Sequence, residues 1–145
     1  MKILVSACLL GENCKYDGKN NYREAVARLS EHHELIPVCP EVLGGLPTPR
    51  VPAEICRDCE GNVRVINSAG ADVTEEYLCG AKKALRIAQE NCCEFAVLKE
   101  RSPSCGCGEI YDGTFSHRVV PGDGITAGIL KEYGIKIIGE SEILE

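Results

Sequence analysis

Three of the ten cysteines in this 145-residue chain share one kind of position. Cys8, Cys39 and Cys105 follow the short apolar runs KILVSA, LIPV and FAVLK, the last across a short loop. Three thiolates in one pocket would repel one another unless a cation neutralised them, so these residues predict a metal centre if the runs are neighbouring strands. Zinc in a structural site takes four protein ligands, whereas an iron–sulfur cubane with three cysteines leaves one iron open to a substrate. Both centres stay open at this point.

Two further residues with useful chemistry lie close to these cysteines in the sequence. Glu41 comes two residues after Cys39, and a carboxylate at the pocket edge suits a general acid or base. A solvated loop carboxylate is the alternative. Ser102 comes three residues before Cys105, where it can cap a turn or orient a water molecule, as can Ser104.

The spacing Cys56-x-x-Cys59 offers a competing chemistry. It suits a zinc knuckle, a thiol redox pair or a disulfide, although a single CxxC is a weak signal. Two alternatives therefore stand beside a cluster enzyme: a zinc-stabilised binding module, and a thiol redox protein that uses Cys56 and Cys59. The remaining cysteines are interpreted as inert packing residues: Cys14, Cys79, Cys92, Cys93 and Cys107.

Hydrophobic periodicity predicts short strands that alternate with helices. Strands are expected at residues 2–7, 35–38, 95–99 and 135–138, and helices at 21–31, 73–90 and 125–133. Thr74 is the expected cap of the long helix, and a hairpin is expected within residues 55–67 around the turn EGN. The pattern implies an α/β, Rossmann-like three-layer fold with a mostly parallel sheet and a small inserted hairpin, in a single domain of residues 1–145. Side chains that follow parallel strands meet at one sheet edge, which would make the three cysteines neighbours.

The composition narrows the class of partner. A formal net charge of -6 without a basic run disfavours a polymeric nucleic acid, although Lys99 with Arg101, or Arg50, can meet one phosphate of a small anion. The apolar stretch near the amino terminus is too short for a membrane span. Ten cysteines point to metal or redox chemistry in a reducing compartment, so we expect a cytoplasmic protein. We expect this protein to be a monomer or a homodimer.

Four long segments carry a more specific signal than any CxxC pair. They read VSACLLGENCKYDG, CPEVLGGLPTPRVPAEI, LKERSPSCGCGEIYDGTF and GDGITAGILKEYGIKI, and they span nearly the whole chain. Together they resemble the small bacterial and archaeal family that includes the thiouracil desulfidases. The resemblance implies a single desulfidase-like domain that removes sulfur from thiolated pyrimidines, such as thiouracil or 4-thiouridine monophosphate. The implied reaction has no net redox change and releases hydrosulfide.

The resemblance also implies roles for particular residues. A [4Fe-4S] cluster would be held by Cys8, Cys39 and Cys105, with one iron open to the substrate. Glu41 would be the acid/base carboxylate and Ser102 the catalytic hydroxyl. The family often has a residue other than cysteine at the positions of Cys14 and Cys107. This agrees with leaving both residues out of the ligand set.

Overall fold

The computed structural model describes residues 1–143 of the chain. Its strands are β1 (Lys2–Ser6), β2 (Glu34–Val38), β3 (Ala53–Arg57), β4 (Val63–Asn67), β5 (Phe95–Leu98), β6 (Glu109–Tyr111), β7 (Val119–Pro121) and β8 (Lys136–Gly139). Its α-helices are α1 (Glu24–Ala27), α2 (Pro40–Leu43), α3 (Thr74–Glu90) and α4 (Ile125–Glu132). Short 3₁₀ turns follow β1, α1 and β8.

The centre of the fold is a parallel sheet with the strand order β2-β1-β5-β8. Successive side chains of a strand alternate between faces, so Ile3 and Leu4 of β1 enter different core clusters. Leu4 packs in a cluster with Leu85 of α3 and Leu130 of α4, whereas Ile3 packs with Val26 of α1. The prediction of an α/β, Rossmann-like layered fold around a parallel sheet is confirmed.

Two antiparallel hairpins stand beside this sheet. In the first, β3 pairs with β4 and sets Ile55 opposite Val65, which confirms the predicted hairpin. In the second, β6 pairs with β7 and sets Ile110 opposite Val120. The sequence pattern did not predict β7, because its three residues are too few to show a periodicity. Side chains from both hairpins pack with Tyr77 of α3 in a third core cluster.

The longest helix, α3, has 17 residues. Its buried side chains recur every three or four positions, which gives one apolar face, and Glu75 and Glu76 lie in its first turn, where they stabilise the helix dipole. No helix within residues 1–143 is long and apolar enough to cross a bilayer.

Two helix starts differ from the sequence prediction. The first helix begins at Glu24 rather than at residue 21, because the Asn21 N–H donates to the Cys8 carbonyl at 2.9 Å and so leaves the helical pattern. Thr74 is the first residue of α3 rather than its cap. Its own N–H donates to Asp72 Oδ1 at 2.9 Å, so the side chain of Asp72 satisfies this end of the helix.

The packing interpretation of the remaining cysteines is wrong for two of them. Cys79 lies on the solvent face of α3 and is exposed, and Cys92 is exposed at the end of the same helix. Cys92 adopts a left-handed conformation with φ 55°, which turns the chain out of the helix. Cys93, the next residue, is buried as predicted.

Candidate active site

The carboxyl ends of β1, β2 and β5 open into one cavity of 560 Å³. Five side chains singled out from the sequence line it: Cys8, Cys39, Glu41, Ser102 and Cys105. Parallel strands bring them together, because segments distant in the sequence end at the same edge of the sheet.

Each of the three cysteines is positioned by a different element. Cys8 lies in the 3₁₀ turn after β1, Cys39 lies between β2 and α2, and Cys105 lies in the loop after β5. Asn21 Nδ2 lies 3.4 Å from the sulfur of Cys8, and Ser104 Oγ lies 3.5 Å from the sulfur of Cys105. The Asn21 amide is a hydrogen-bond donor, so it suits a Cys8 sulfur that carries negative charge.

The burial of the thiols bears on what they can hold. Burial raises the pKa of the partly buried Cys8 thiol and of the buried Cys105 thiol. Without a cation these two residues are therefore protonated thiols, and a bound metal centre would displace their protons and compensate the buried charge. The donor set thus fits a metal centre that prefers thiolate ligands.

Cys8, Cys39 and Cys105 line one cavity without forming a ready site for a single ion. Among residues 1–143, no three His, Cys, Asp or Glu side chains converge closely enough to hold one metal ion. A single zinc ion draws its sulfurs to about 2.3 Å from a common point. The three thiols are therefore not preorganised for one zinc ion.

Three side chains form a hydrogen-bonded row along the cavity wall. The buried Ser104 hydroxyl donates to Glu41 Oε1 at 2.7 Å. Because that donation uses its one proton, the 3.0 Å contact between the two serine hydroxyls has Ser102 as the donor. The row therefore runs in one direction, from the Ser102 hydroxyl through Ser104 to the Glu41 carboxylate. Sequence reasoning did not separate Ser104 from a turn cap, since its burial is visible only in the fold.

Backbone groups support the Ser102 end of this row. The N–H groups of Ser104 and Cys105 both donate to Ser102 Oγ at 3.1 Å. Two donors on one oxygen stabilise negative charge that develops there. At the other end, Arg50 Nη2 lies 4.0 Å from Glu41 Oε2, and both side chains are largely buried. Arg50 is thus committed to the carboxylate rather than free to meet a phosphate.

The first turn of α4 holds the loop that carries Ser102 and Cys105. The N–H groups of Thr126 and Ala127 donate to the Ser104 carbonyl at 2.9 and 3.0 Å. Gly124 makes this approach possible, because a Cβ there would stand 2.5 Å from the Ser104 carbonyl carbon and oxygen. This contact cannot be predicted from the sequence, because it depends on how the loop packs against the helix.

We expect Gly124→Ala to destabilise the protein by about 1–3 kcal/mol, because the new methyl group must push the loop away from α4. Gly128→Ala is the matched control one turn later in the same helix, since a Cβ there meets nothing within 4 Å. That control should gain about 0.5–1 kcal/mol from the higher helix propensity of alanine. Urea unfolding of both variants measures the difference, and equal stabilities would contradict the contact.

The outer wall of the cavity is aromatic. Tyr111 and His117 line it and pack edge to face, with ring centroids 5.7 Å apart. Phe115 lies beside them, and Glu54 Oε1 accepts the N–H groups of Gly113 and Phe115 at 3.0 and 3.1 Å. Glu54 therefore fixes the loop that carries this wall. Hydrophobic periodicity does not predict the wall, because Phe115 and His117 lie in the loop between β6 and β7.

The other cysteines divide between the cavity and the surface. Cys14 lines the cavity beside Cys39, whose sulfur lies 3.9 Å from the Cys14 carbonyl oxygen. The neighbouring Cys14 side chain lowers the pKa of Cys39, whereas Cys39 and burial raise the pKa of Cys14. Cys56 and Cys59, both within the described part of the chain, lie outside the cavity lining. The CxxC pair is therefore not brought to this site.

Comparison with known proteins agrees with the sequence motifs. A family model described as 2-thiouracil desulfurase matches residues 3–142. The uncharacterized protein YbbK of Bacillus subtilis (strain 168) is 43% identical over 146 residues, which cover 97% of each chain. A solved structure described as the [4Fe-4S]-dependent thiouracil desulfidase TudS is 42% identical, with a TM-score of 0.87 over 98% of this chain and 92% of that one. The resemblance carried by the four segments is thereby confirmed, and the chain belongs to the 2-thiouracil desulfurase family.

Proposed function

We propose that this protein is a [4Fe-4S]-dependent desulfidase that replaces the thiocarbonyl sulfur of a thiolated pyrimidine by oxygen. The main observation in its support is that three cysteines and the hydrogen-bonded row of Ser102, Ser104 and Glu41 line the same cavity. The family of the chain and its similarity to a thiouracil desulfidase support the same activity. Residues 1–145 would act as one desulfidase-like domain in the reducing cytoplasm, where ten free cysteines persist.

Cys8, Cys39 and Cys105 would hold the cluster, since they line one cavity from three different strand ends and cysteine thiolates are the usual ligands of iron–sulfur clusters. When bound, the open iron would supply a soft Lewis acid that binds the thiocarbonyl sulfur and draws electrons from the adjacent ring carbon. Asn21, as a donor to the Cys8 sulfur, would hold that sulfur in place.

The serine row provides the proton path for a hydrolytic reaction. A water molecule attacks the activated ring carbon and gives a proton to Ser102 Oγ, while Ser102 passes its own proton through Ser104 to Glu41. The N–H groups of Ser104 and Cys105 stabilise the charge that Ser102 Oγ carries during the transfer. The same path in reverse protonates the departing sulfur. One water is consumed, hydrosulfide and a proton are released, and no electron is gained or lost.

The cavity suits a nucleotide better than a free base. Its volume of 560 Å³ exceeds what a single pyrimidine ring fills, and Tyr16 and Phe115 offer faces on which a base or ribose can pack. Lys15 and Arg101 also line the cavity, and their ion pairs with Asp17 and Glu109 are more exposed than that of Arg50, so they can exchange these pairs for a phosphate. The finer proposal is therefore a thiolated nucleotide such as 4-thiouridine monophosphate.

The test is turnover by anaerobically purified protein with a reconstituted cluster. Release of sulfide and formation of the oxygenated pyrimidine are followed with thiouracil, 4-thiouridine and 4-thiouridine monophosphate. We expect all three products, with the highest kcat/KM for the monophosphate. An equal kcat/KM for 4-thiouridine would contradict the proposed phosphate contact but would still agree with the desulfuration activity.

One double variant and one metal analysis distinguish the proposed desulfidase from the two alternatives. A Cys56→Ser/Cys59→Ser double variant should keep its iron and its turnover, because neither residue lines the cavity. Complete loss of activity in that folded variant would instead support thiol redox chemistry. A colourless protein with stoichiometric zinc would contradict the desulfidase and support a zinc-stabilised binding module.

A further inference from the structure

Cys14 is a fourth thiol at the cavity, and the proposed reaction does not use it. Its loop is fixed at the site by Arg50, whose Nη2 donates to the Cys14 carbonyl at 2.9 Å. The sulfur of Cys39 lies 3.9 Å from the same carbonyl oxygen. The backbone of Cys14 is therefore anchored directly beside one of the three proposed cluster ligands.

The neighbours of the three ligand sulfurs differ in chemistry. Beside Cys39 lies a second cysteine, Cys14, which lines the same cavity and whose carbonyl oxygen is 3.9 Å from the Cys39 sulfur. Cys8 and Cys105 have the amide of Asn21 and the hydroxyl of Ser104 beside their sulfurs. Two neighbouring thiols can form a covalent S–S bond, whereas an amide or a hydroxyl offers no such reaction.

Both thiols are also within reach of small oxidants. Cys14 and Cys39 are half-buried and line the open cavity. We infer that they form a reversible disulfide when the chain lacks its cluster, and that Cys14 thereby protects Cys39 from irreversible oxidation. The disulfide follows from the position of the two cysteines side by side at the cavity, whereas the protective role rests on the proposed ligation of iron by Cys39.

The chemistry balances with a peroxide as the two-electron oxidant. The Cys39 thiolate attacks one oxygen of hydrogen peroxide, the O–O bond breaks, and a sulfenic acid and one water are formed once a proton is taken up. The Cys14 sulfur then attacks the sulfenic sulfur, the S–O bond breaks, and a second water leaves. Two thiols and one peroxide thus give one disulfide and two waters. Without Cys14, a second peroxide would carry Cys39 on to the sulfinic acid, which a thiol reductant does not reverse.

The experiment uses full-length protein from which iron has been removed by a chelator under anaerobic conditions. The wild type, Cys14→Ser and Cys79→Ser are treated with hydrogen peroxide, then analysed by thiol titration and by peptide mass mapping. Cys79→Ser is the control, because this thiol is exposed on α3 away from the cavity. We expect a Cys14–Cys39 cross-linked peptide in the wild type and in the control, and its reversal by dithiothreitol. In Cys14→Ser we expect Cys39 as a sulfinic acid.

Iron reconstitution after dithiothreitol then tests the protective role. Recovery of iron binding by the wild type, and its loss in peroxide-treated Cys14→Ser, would support protection. A cross-link between other cysteines, or the sulfinic acid at Cys39 in wild type and variant alike, would overturn the disulfide. If the disulfide forms but Cys14→Ser with oxidised Cys39 still binds full iron, then ligation by Cys39 fails while the disulfide stands.

Discussion

Cys105→Ser should yield a folded protein that binds no [4Fe-4S] cluster and releases no sulfide from thiouracil. Serine is nearly isosteric with cysteine, but its hydroxyl is a hard, weakly acidic donor that replaces a soft thiolate poorly. Cys105 is 3% exposed, so water has little access to take over the ligand position. The expected result is loss of the broad thiolate-to-iron absorption and of iron in elemental analysis, beside an unchanged far-UV circular dichroism spectrum.

Cys107→Ser is the matched control for this prediction. It removes a thiol two residues further along the same loop, where the side chain is not part of the cavity lining. This variant should keep its iron and its turnover. Full iron in Cys105→Ser would contradict the ligand assignment, whereas loss of iron from both variants would show that the loop, rather than one sulfur, controls cluster binding.

The sequence predicts the general position of the site because strand ends are a local property. An apolar run followed by polar residues marks the end of a strand, and parallel topology then brings Cys8, Cys39 and Cys105 to one edge of the sheet. A short-range pattern is therefore sufficient to place residues nearly a hundred positions apart at the same cavity.

The hydrogen-bonded connection between Glu41 and Ser102 could not be predicted from the sequence. It runs through Ser104, which no local sequence pattern distinguishes. Ser104 is one of two serines around a proline, and either could cap a turn. What distinguishes Ser104 is that α4 encloses it completely and that Glu41 arrives from a different strand. Both facts depend on tertiary packing. The glycine that permits the enclosure, Gly124, likewise reads as an ordinary turn residue.

Glu41→Gln should lower kcat for desulfuration by about a hundred- to ten-thousand-fold, the usual cost of losing a positioned acid or base. The glutamine oxygen can still accept the hydrogen bond from Ser104, so the fold and the iron content should be unchanged. The substrate contacts also remain, and KM should hardly move. Glu75→Gln, an exposed glutamate in the first turn of α3, is the control and should be as fast as the wild type.

Ser104→Ala tests whether the proton reaches Glu41 through the serine row. If Ser104 carries the proton, this variant and Glu41→Gln interrupt the same path, and the double variant should be hardly slower than Glu41→Gln alone. If Ser104 only supports the loop, its loss and the loss of the carboxylate act independently, and the two rate factors should multiply. The measurement is kcat for the two single variants and the double variant, each with its iron content verified. Multiplying factors would limit Ser104 to packing and require direct contact between Glu41 and the attacking water.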